Sequence, residues 1–571
     1  AVASYNDGAV DVQSATVAAK GNFVRAQGVV NGVAGGNPAY AVDARVHSAD
    51  VSSIVAIAKP SLANTIEGSA DANVHANGRG TNVAVSGTLL APEGAVNGLP
   101  FHDLQTSLSG TQRSVALRGG SVGIGSTAIA FSGNLSPSTQ QLSVAAPYLN
   151  AADFNDFFDA GDMLAGRGDL RASATLAGGD LLATQGNAML TGTAVRGIVI
   201  GTTRAAWNGN AGDIHTNVAA DGQYGNFSAN GAVGLRGFVN LTARARNVAL
   251  AHWLPVAGLQ LPVTGTASLD ATIAGTYPSL DTNVHASVLD ATVQRMHVDS
   301  VTAVLATRAG RGRLQSLAVR APHLTIDADG GFGLRASDPL ALTIRTNSDD
   351  VGALANTALG TKYDASGALA MTAHLNGTRD DPSITDDVQL TKPRYGSFTA
   401  ASIFGRIGAT RRAVSLSGAG INFEKGRLLA DATLPIRLVP FELDPGDVPV
   451  SAHVTADDLE LSNFLSLLPK NSKLTGRIDG TVTVAGNLNK PELGGSLALA
   501  GGSFSSPDES IPITNTVAQV TFNRQTVELN NISASAGGGA IAANGYAWIP
   551  NFRDPAGAAF KLSMRTTEAR F

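Results

Sequence analysis

The chain has 571 residues, of which 65 are glycine, only 5% are aromatic and 15% are charged. Glycine at this frequency disfavours long helices, because each glycine costs a helix about 1 kcal/mol relative to alanine. The net charge of −5 includes no basic run, which argues against a nucleic-acid partner, and the absence of cysteine excludes disulfides and thiolate metal sites.

The first 47 residues contain two stretches of alternating side chains, at 14–30 and 39–48, which predict strands. We interpret residues 1–47 as a partial repeat, because the complete pattern begins only after them. A short apolar segment at 48–60 then precedes the first of five similar intervals.

Each of these intervals is bounded by two glycines ten residues apart, and we call it the marker strand. Counting from the first glycine, every even position is apolar or glycine in all five copies, and every charged residue lies at an odd position. Successive side chains of a strand point to opposite faces, so this alternation predicts a half-buried strand. The copies are Gly68–Gly78, Gly168–Gly178, Gly265–Gly275, Gly367–Gly377 and Gly476–Gly486.

The larger side chains at even positions are predicted to line one apolar face of the sheet. These candidate lining residues are Val74, Leu170, Leu176, Leu269, Ile273, Leu369, Met371, Leu375, Ile478, Val482 and Val484.

The first glycines of successive copies lie 97 to 109 residues apart, which indicates a repeat of about a hundred residues. We predict four complete repeats and an incomplete fifth, at 48–146, 147–244, 245–345, 346–454 and 455–571. Turn dipeptides between the alternating segments indicate six to eight strands in each repeat.

A compact apolar segment that follows an aspartate or asparagine precedes each later marker strand, and it predicts one short amphipathic helix per repeat. In the last of these, Ser462 or Asp458 is expected to cap the first turn and Pro469 to end the helix. The helices either fill the end of a core or act as a gate or lid. Their predicted apolar faces comprise Phe154, Phe158, Trp253, Leu254, Phe464, Leu465 and Leu468.

No pattern in the chain indicates an enzyme, a metal site or a cofactor. The ten histidines are scattered, no phosphate-binding loop or serine nucleophile motif occurs, and adjacent carboxylates on a strand would point to opposite faces. We interpret the four carboxylate doublets as solvated turn residues. They are Asp349–Asp350, Asp380–Asp381, Asp386–Asp387 and Asp457–Asp458.

The predicted fold class is therefore all-β, an elongated array of mostly antiparallel strands. The pattern leaves two arrangements open. A closed β-helix or sandwich would bury the apolar face in an ordinary core, whereas a U-shaped sheet would leave that face as a trough. An exposed apolar face of this size is rarely tolerated unless something binds it, and the acyl chain of a lipid is a suitable occupant.

The segment from 456 to 504 resembles the TamB family of AsmA-like bacterial envelope proteins. The similarity lies in the short apolar helix, in Leu474-Thr-Gly476, in the alternating strand to Gly486 and in Pro491-Glu-Leu493. Weaker copies occur at 246–280 and 347–390, and the later segment from 520 to 549 also fits.

The resemblance implies a periplasmic, U-shaped β-groove that moves phospholipid between the inner and outer membranes. It further implies an outer-membrane barrel partner similar to TamA, and attachment to the inner membrane through an anchor that this chain lacks. We expect the chain to be a fragment or a mature form. Two alternatives stay open: an assembly factor for outer-membrane or autotransporter proteins, and a structural or adhesive β-solenoid.

Overall fold

The structure is a computed structural model, and it describes most of the chain. The described residues are 1–19, 21–52, 65–111, 113–156, 164–178, 180–195, 197–256, 262–335, 337–360, 362–378, 380–410, 413–434, 436–438, 441–443, 449–469, 471–487, 490–507, 511–549 and 558–568.

The chain divides into two compact units, each of which is built almost entirely from antiparallel strands. The first unit comprises residues 1–261 and 266–283, and the second comprises residues 262–265 and 284–571. The predicted fold class, all-β with antiparallel strands and short helices, is confirmed.

The strands of the first unit pair antiparallel with their neighbours in chain order, except that the short β5 pairs with β7. They are β1 (Val2–Asn6), β2 (Ala9–Ala19), β3 (Asn22–Asn31), β4 (Ala39–Ser48), β5 (Ile66–Gly68), β6 (Ala70–Arg79), β7 (Asn82–Val96), β8 (Leu99–Thr111), β9 (Ser114–Ile124), β10 (Thr127–Leu135), β11 (Gln140–Asn150), β12 (Leu164–Ala177), β13 (Asp180–Val195), β14 (Ile198–Gly209), β15 (Ile214–Gly222), β16 (Gly225–Val233), β17 (Phe238–Ala249) and β18 (Val263–Thr276).

The second unit continues the same antiparallel order, with β27 paired to β25 and β32 paired to β29. Its strands are β19 (Ser279–Val293), β20 (Met296–Arg308), β21 (Arg311–Ala321), β22 (Leu324–Gly333), β23 (Pro339–Ser348), β24 (Ala365–Thr378), β25 (Pro382–Tyr395), β26 (Phe398–Thr399), β27 (Ser402–Ala409), β28 (Val414–Asn422), β29 (Arg427–Leu434), β30 (Ile436–Leu438), β31 (Phe441–Leu443), β32 (Ser451–Glu460), β33 (Lys473–Asn487), β34 (Lys490–Ser505), β35 (Ile513–Arg524), β36 (Thr526–Ala536), β37 (Gly539–Trp548) and β38 (Ala559–Thr567).

The marker strands recur at every sixth long strand of the described chain, as β6, β12, β18, β24 and β33. Six is the lower end of the predicted six to eight strands. A short helix precedes each of the last four marker strands, whereas the predicted segment at 48–60 lies largely outside the described residues. These helices are the 3₁₀ helix Ala151–Phe154, α1 (Leu250–Val256), α2 (Val351–Leu359) and the 3₁₀ helix Leu461–Leu467.

The glycine that opens a marker strand lets the next strand approach closely. Gly265, Gly367 and Gly476 have φ values of 128°, 139° and 125°, which disfavour any residue with a side chain. A Cβ on Gly476 would lie 2.8 Å from the Cα atom of Gly502. In the second copy, the glycine equivalent to these three is Gly166, whose φ is 144°, and not the predicted Gly168. The two differ by two residues, so the predicted face is unchanged.

The helix ends differ in part from the sequence prediction. Asp350 caps α2, and its carboxylate accepts hydrogen bonds from the backbone N–H groups of Gly352 and Ala353 at 2.9 and 3.3 Å. The cap predicted for the last helix is wrong: the N-cap position is Glu460, and its side chain makes no capping bond. Asp458 instead forms an ion pair with Arg477 at 3.0 Å.

Replacing Asp350 with alanine should destabilise α2 by about 1 kcal/mol, because two backbone donors lose their acceptor. Hydrogen exchange of the amides of 351–359 measures this loss directly. The neighbouring Asp349→Ala is the matched control, since the Asp349 carboxylate pairs with the exposed ring of His323 and does not cap α2. Equal exchange in both variants would contradict the capping role.

The described side chains form small, local cores rather than one closed core. Among them, the largest side chain that is almost fully buried is that of Thr127. The accessible surface is 33018 Å², whereas a compact globular protein of 58 kDa would expose about 19,000 Å². Much of the apolar side-chain surface therefore stays partly open to solvent.

Candidate functional site

The candidate site is the sheet face that carries the even positions of the marker strands, which we call the inner face. Antiparallel register carries this face from strand to strand, because directly opposed residues point the same way. In the first unit one such row runs from Ala220 through Phe227 and Ala245 to Leu269. In the second unit a row runs from Ile421 to Leu497. Its intermediate members are Leu428, Ala456 and Gly480.

All eleven candidate lining residues lie on this face, and all eleven are half-buried. A closed core would bury them fully. Their half-burial therefore fits an apolar surface that is sheltered but open. The residues are Val74, Leu170, Leu176, Leu269, Ile273, Leu369, Met371, Leu375, Ile478, Val482 and Val484.

A cavity of about 660 Å³ lies on the inner face of the first unit, under α1. Ligand pockets commonly have volumes of about 300–1,000 Å³, so the cavity can hold a long hydrocarbon segment. It brings together two sequence-predicted residues, Leu269 and Trp253. The sequence analysis missed its other large members, because their strands show no marker. They include Ile200, Val218, Phe227 and Val248.

The short helices pack against one end of the inner face. Trp253 of α1 contacts the ring of Phe227 edge-on, with centroids 5.0 Å apart, and its indole N–H donates to the carbonyl oxygen of Tyr224 at 3.0 Å. Leu354 of α2 packs against a core of the second unit that includes Val298 and Leu324. The helices thus close the end of the apolar surface and leave its length uncovered.

The last helix packs in the same way, through a ring contact of Phe464. Phe464 meets the buried ring of Phe423 edge-on with centroids 5.7 Å apart, and Ile478 of the marker strand packs against the same core. The other predicted helix residues, Phe154, Leu254, Leu465 and Leu468, are half-buried. Phe158 lies outside the described residues.

The opposite, outer face carries cross-strand ion pairs. Arg406 lies 2.7 Å from Asp387, Arg246 lies 2.7 Å from Asp270, and His75 lies 2.8 Å from Asp43. The hydrogen bond from Arg406 holds the pKa of Asp387 below its ordinary value. Exposed pairs of this kind contribute little to stability, because water screens them. Their consistent placement gives the sheet one charged and one apolar face.

Asp386 breaks this separation of charge. It forms a doublet with Asp387, and the two side chains lie on opposite faces as expected for neighbours on a strand. The prediction that the doublet is a solvated turn is wrong, since both residues lie within β25 and Asp386 is 8% exposed. Burial, and then the charge of Asp387, raise the pKa of Asp386 above its ordinary value.

The Asp386 and Asp387 carboxyls should have opposite effects on stability as pH changes. The folded chain holds the proton of Asp386 more tightly than the unfolded chain does. The stabilisation of the folded state that results is complete below the pKa of the unfolded chain, about 3.9. It disappears as pH rises through the pKa of the folded chain. The lowered pKa of Asp387 gives stability above about pH 3.9 that is lost as pH falls.

We therefore expect Asp386→Asn to gain stability relative to the wild type as pH rises, and Asp387→Asn to lose it. Denaturant unfolding of both variants across the acid to neutral range measures these differences. Parallel curves for the wild type and Asp386→Asn would show that the buried carboxyl has no raised pKa.

The described residues hold no group of three or more histidine, aspartate or glutamate side chains placed to bind a metal ion. None of the described helices is both long and apolar enough to span a membrane. No protein-family model matches the chain, and no curated protein matches it. The TamB resemblance therefore remains a prediction drawn from the sequence motifs.

Proposed function

We propose that the chain is a lipid-conducting segment of a TamB-like envelope protein. Its inner face would hold phospholipid acyl chains on their way between the inner and outer membranes. The observation that carries this proposal is that the inner face presents eleven large apolar residues, none of which is fully buried. In this proposal the protein lies in the periplasm, and a TamA-like barrel of the outer membrane is its partner.

The energetics favour an acyl chain as the occupant. Each methylene removed from water contributes about 0.8 kcal/mol, so a sixteen-carbon chain gains on the order of 12 kcal/mol when it is fully covered. The apolar cavity under α1 offers such cover through Phe227, Trp253 and Leu269. The charged outer face keeps the same sheet soluble, since its ion pairs remain in contact with water.

No side chain has a catalytic role in this proposal. Lipid would slide along the apolar face of each unit without a bond being made or broken. The short helices then serve as end walls, because Trp253 and Phe464 pack onto inner-face rings.

Site-specific photocrosslinking tests the proposal in the full-length protein. A crosslinking residue at Ile273, Met371 or Val482 should capture phospholipid, and organic extraction with mass spectrometry identifies it. The matched controls are Thr272, Thr372 and Thr483, each the preceding or following residue on the same strand and on the outer face. Equal lipid capture on both faces would reject the groove.

The same experiment separates lipid transport from protein assembly. An assembly factor would be crosslinked to polypeptide at the inner-face positions, with little extractable lipid. An adhesive or structural solenoid would yield neither product at these positions.

A further inference from the structure

Asp386 is an acidic residue on a surface that is otherwise built for hydrocarbon. Register places it on the inner face, opposite Ala373 of β24 and Ile407 of β27. The row continues through Ile344 on one side and Leu416 on the other. An acyl chain lying across these strands would pass directly over the Asp386 carboxyl.

The carboxyl is exceptional among its neighbours. In the described strands from β20 to β33, the residues in register with the marker strands' even positions are apolar, glycine, serine or threonine, with Asp386 as the exception. Three other repeats have glycine at the matching place. Val74 faces Gly87, Ala172 faces Gly186, and Val482 faces Gly495.

The carboxyl also lacks a full set of partners. Its Oδ1 atom is buried and accepts no hydrogen bond from the described residues. The nearby ionisable groups on the adjoining strands all lie on the outer face: His374 on β24, Arg406 on β27 and Asp387 on β25 itself. Arg406 is engaged by Asp387 at 2.7 Å. Among the residues that the structure describes, no cation therefore faces Asp386 on the inner side.

The inner face around this carboxyl is open to water. Ile384 and Ile407, which flank it, are each 36% exposed, so the apolar surface around it is accessible in the empty protein. An acyl chain over Ile407 would remove that water. An ionised carboxylate without water or a cation is strongly disfavoured, whereas its neutral form is tolerated.

We propose that lipid occupancy of the inner face at Asp386 is coupled to the uptake of one proton by its carboxyl. This inference rests on the proposed function and adds a position along the groove where acidity favours loading and alkalinity favours release. Because lipid binding takes up this proton, the affinity for lipid at this position falls as pH rises. Above the pKa of Asp386 in the lipid-free protein, the fall is up to about tenfold per pH unit. The raised pKa of Asp386 brings this transition closer to neutral pH.

Two crosslinking positions in one protein provide the test. Place a photocrosslinker at Ile407, beside Asp386, or at Ile273, whose row in the first unit contains no carboxylate on the inner face. Incubate each full-length protein with phosphatidylcholine vesicles, whose headgroup keeps its charge between about pH 4.5 and 8. Lipid capture at Ile407 should fall as pH rises, whereas capture at Ile273 should stay constant.

Two variants assign the effect to the carboxyl. In Asp386→Asn, lipid capture at Ile407 should stay at every pH as high as it is in the wild type at low pH. Asp387→Asn should keep the pH dependence but move it to lower pH, because the charge that helps to raise the pKa of Asp386 is gone. Both variants are compared at equal folded protein, measured by circular dichroism.

The outcomes separate this inference from the proposed function. Proton coupling would be overturned if lipid were captured at both positions with no pH dependence at Ile407. It would also be overturned if Asp386→Asn kept the pH dependence of the wild type. Either result would leave lipid binding intact. Absence of lipid at both positions at every pH would overturn the proposed function and proton coupling together.

Discussion

Replacing Phe423 with alanine should destabilise the region around it by about 3–5 kcal/mol, the usual cost of removing a buried aromatic ring. The Phe423 ring is 7% exposed and meets Phe398 and Phe464 edge-on, with centroids 5.9 and 5.7 Å away. Its loss would leave a cavity where the last helix meets the inner face. It should therefore loosen both the helix and marker strand β33.

Local measurements are needed, because repeat proteins unfold in parts rather than all at once. Hydrogen exchange should accelerate in 414–434 and 451–487 and remain unchanged in 66–111. Phe560→Ala is the matched control, since the Phe560 ring is 82% exposed and its removal should cost less than about 0.5 kcal/mol. Uniform acceleration throughout the chain would contradict a local core.

Introducing a carboxylate at Val482 should abolish most lipid passage, and the same change at Val74 should do so to a similar extent. A carboxylate in contact with hydrocarbon costs on the order of 2–3 kcal/mol, which lowers local lipid occupancy by roughly 100-fold. If the groove is a passive conduit, a block near either end interrupts the whole path. The measurement is envelope function in cells at matched levels of folded protein.

The controls introduce the same charge one residue away. Thr483→Asp and Asn73→Asp place it on the outer face, opposite His453 and Arg45 respectively, and should be nearly silent. A loss of function confined to one of the two inner-face variants would indicate a discrete binding site and reject the conduit.

The sequence predicted the strands and their faces well, because both depend on short-range alternation. The assignment of Ile478 and Val482 to the inner face needed only their distance from Gly476. Neighbouring residues of a strand lie on opposite faces, so an alternation with a period of two residues shows which face each side chain occupies. The repeat of about a hundred residues followed from the spacing of the same glycines. Turn dipeptides predicted six to eight strands in each repeat, and the apolar segments before the marker strands predicted the short helices.

Features that depend on long-range register could not be predicted. Asp386 is buried because β24 and β27 bring Ala373 and Ile407 beside it, and no local pattern encodes that pairing. The cavity under α1 likewise needs five neighbouring strands, β14 to β18, and its member Phe227 lies outside any marker strand. The cap of the last helix was missed because Asp458 is drawn into an ion pair with Arg477 instead.

The count of six strands per repeat is even, and antiparallel strands alternate in direction. Within each unit every marker strand consequently runs the same way, and the helices that precede the marker strands lie at the same rim of the sheet. Removing or adding one repeat, about a hundred residues, would preserve strand polarity, the rim that carries the helices and the sidedness of the sheet. An odd number of strands would move the next helix to the opposite rim. Natural or engineered changes in the reach of such a protein should therefore come in steps of six strands.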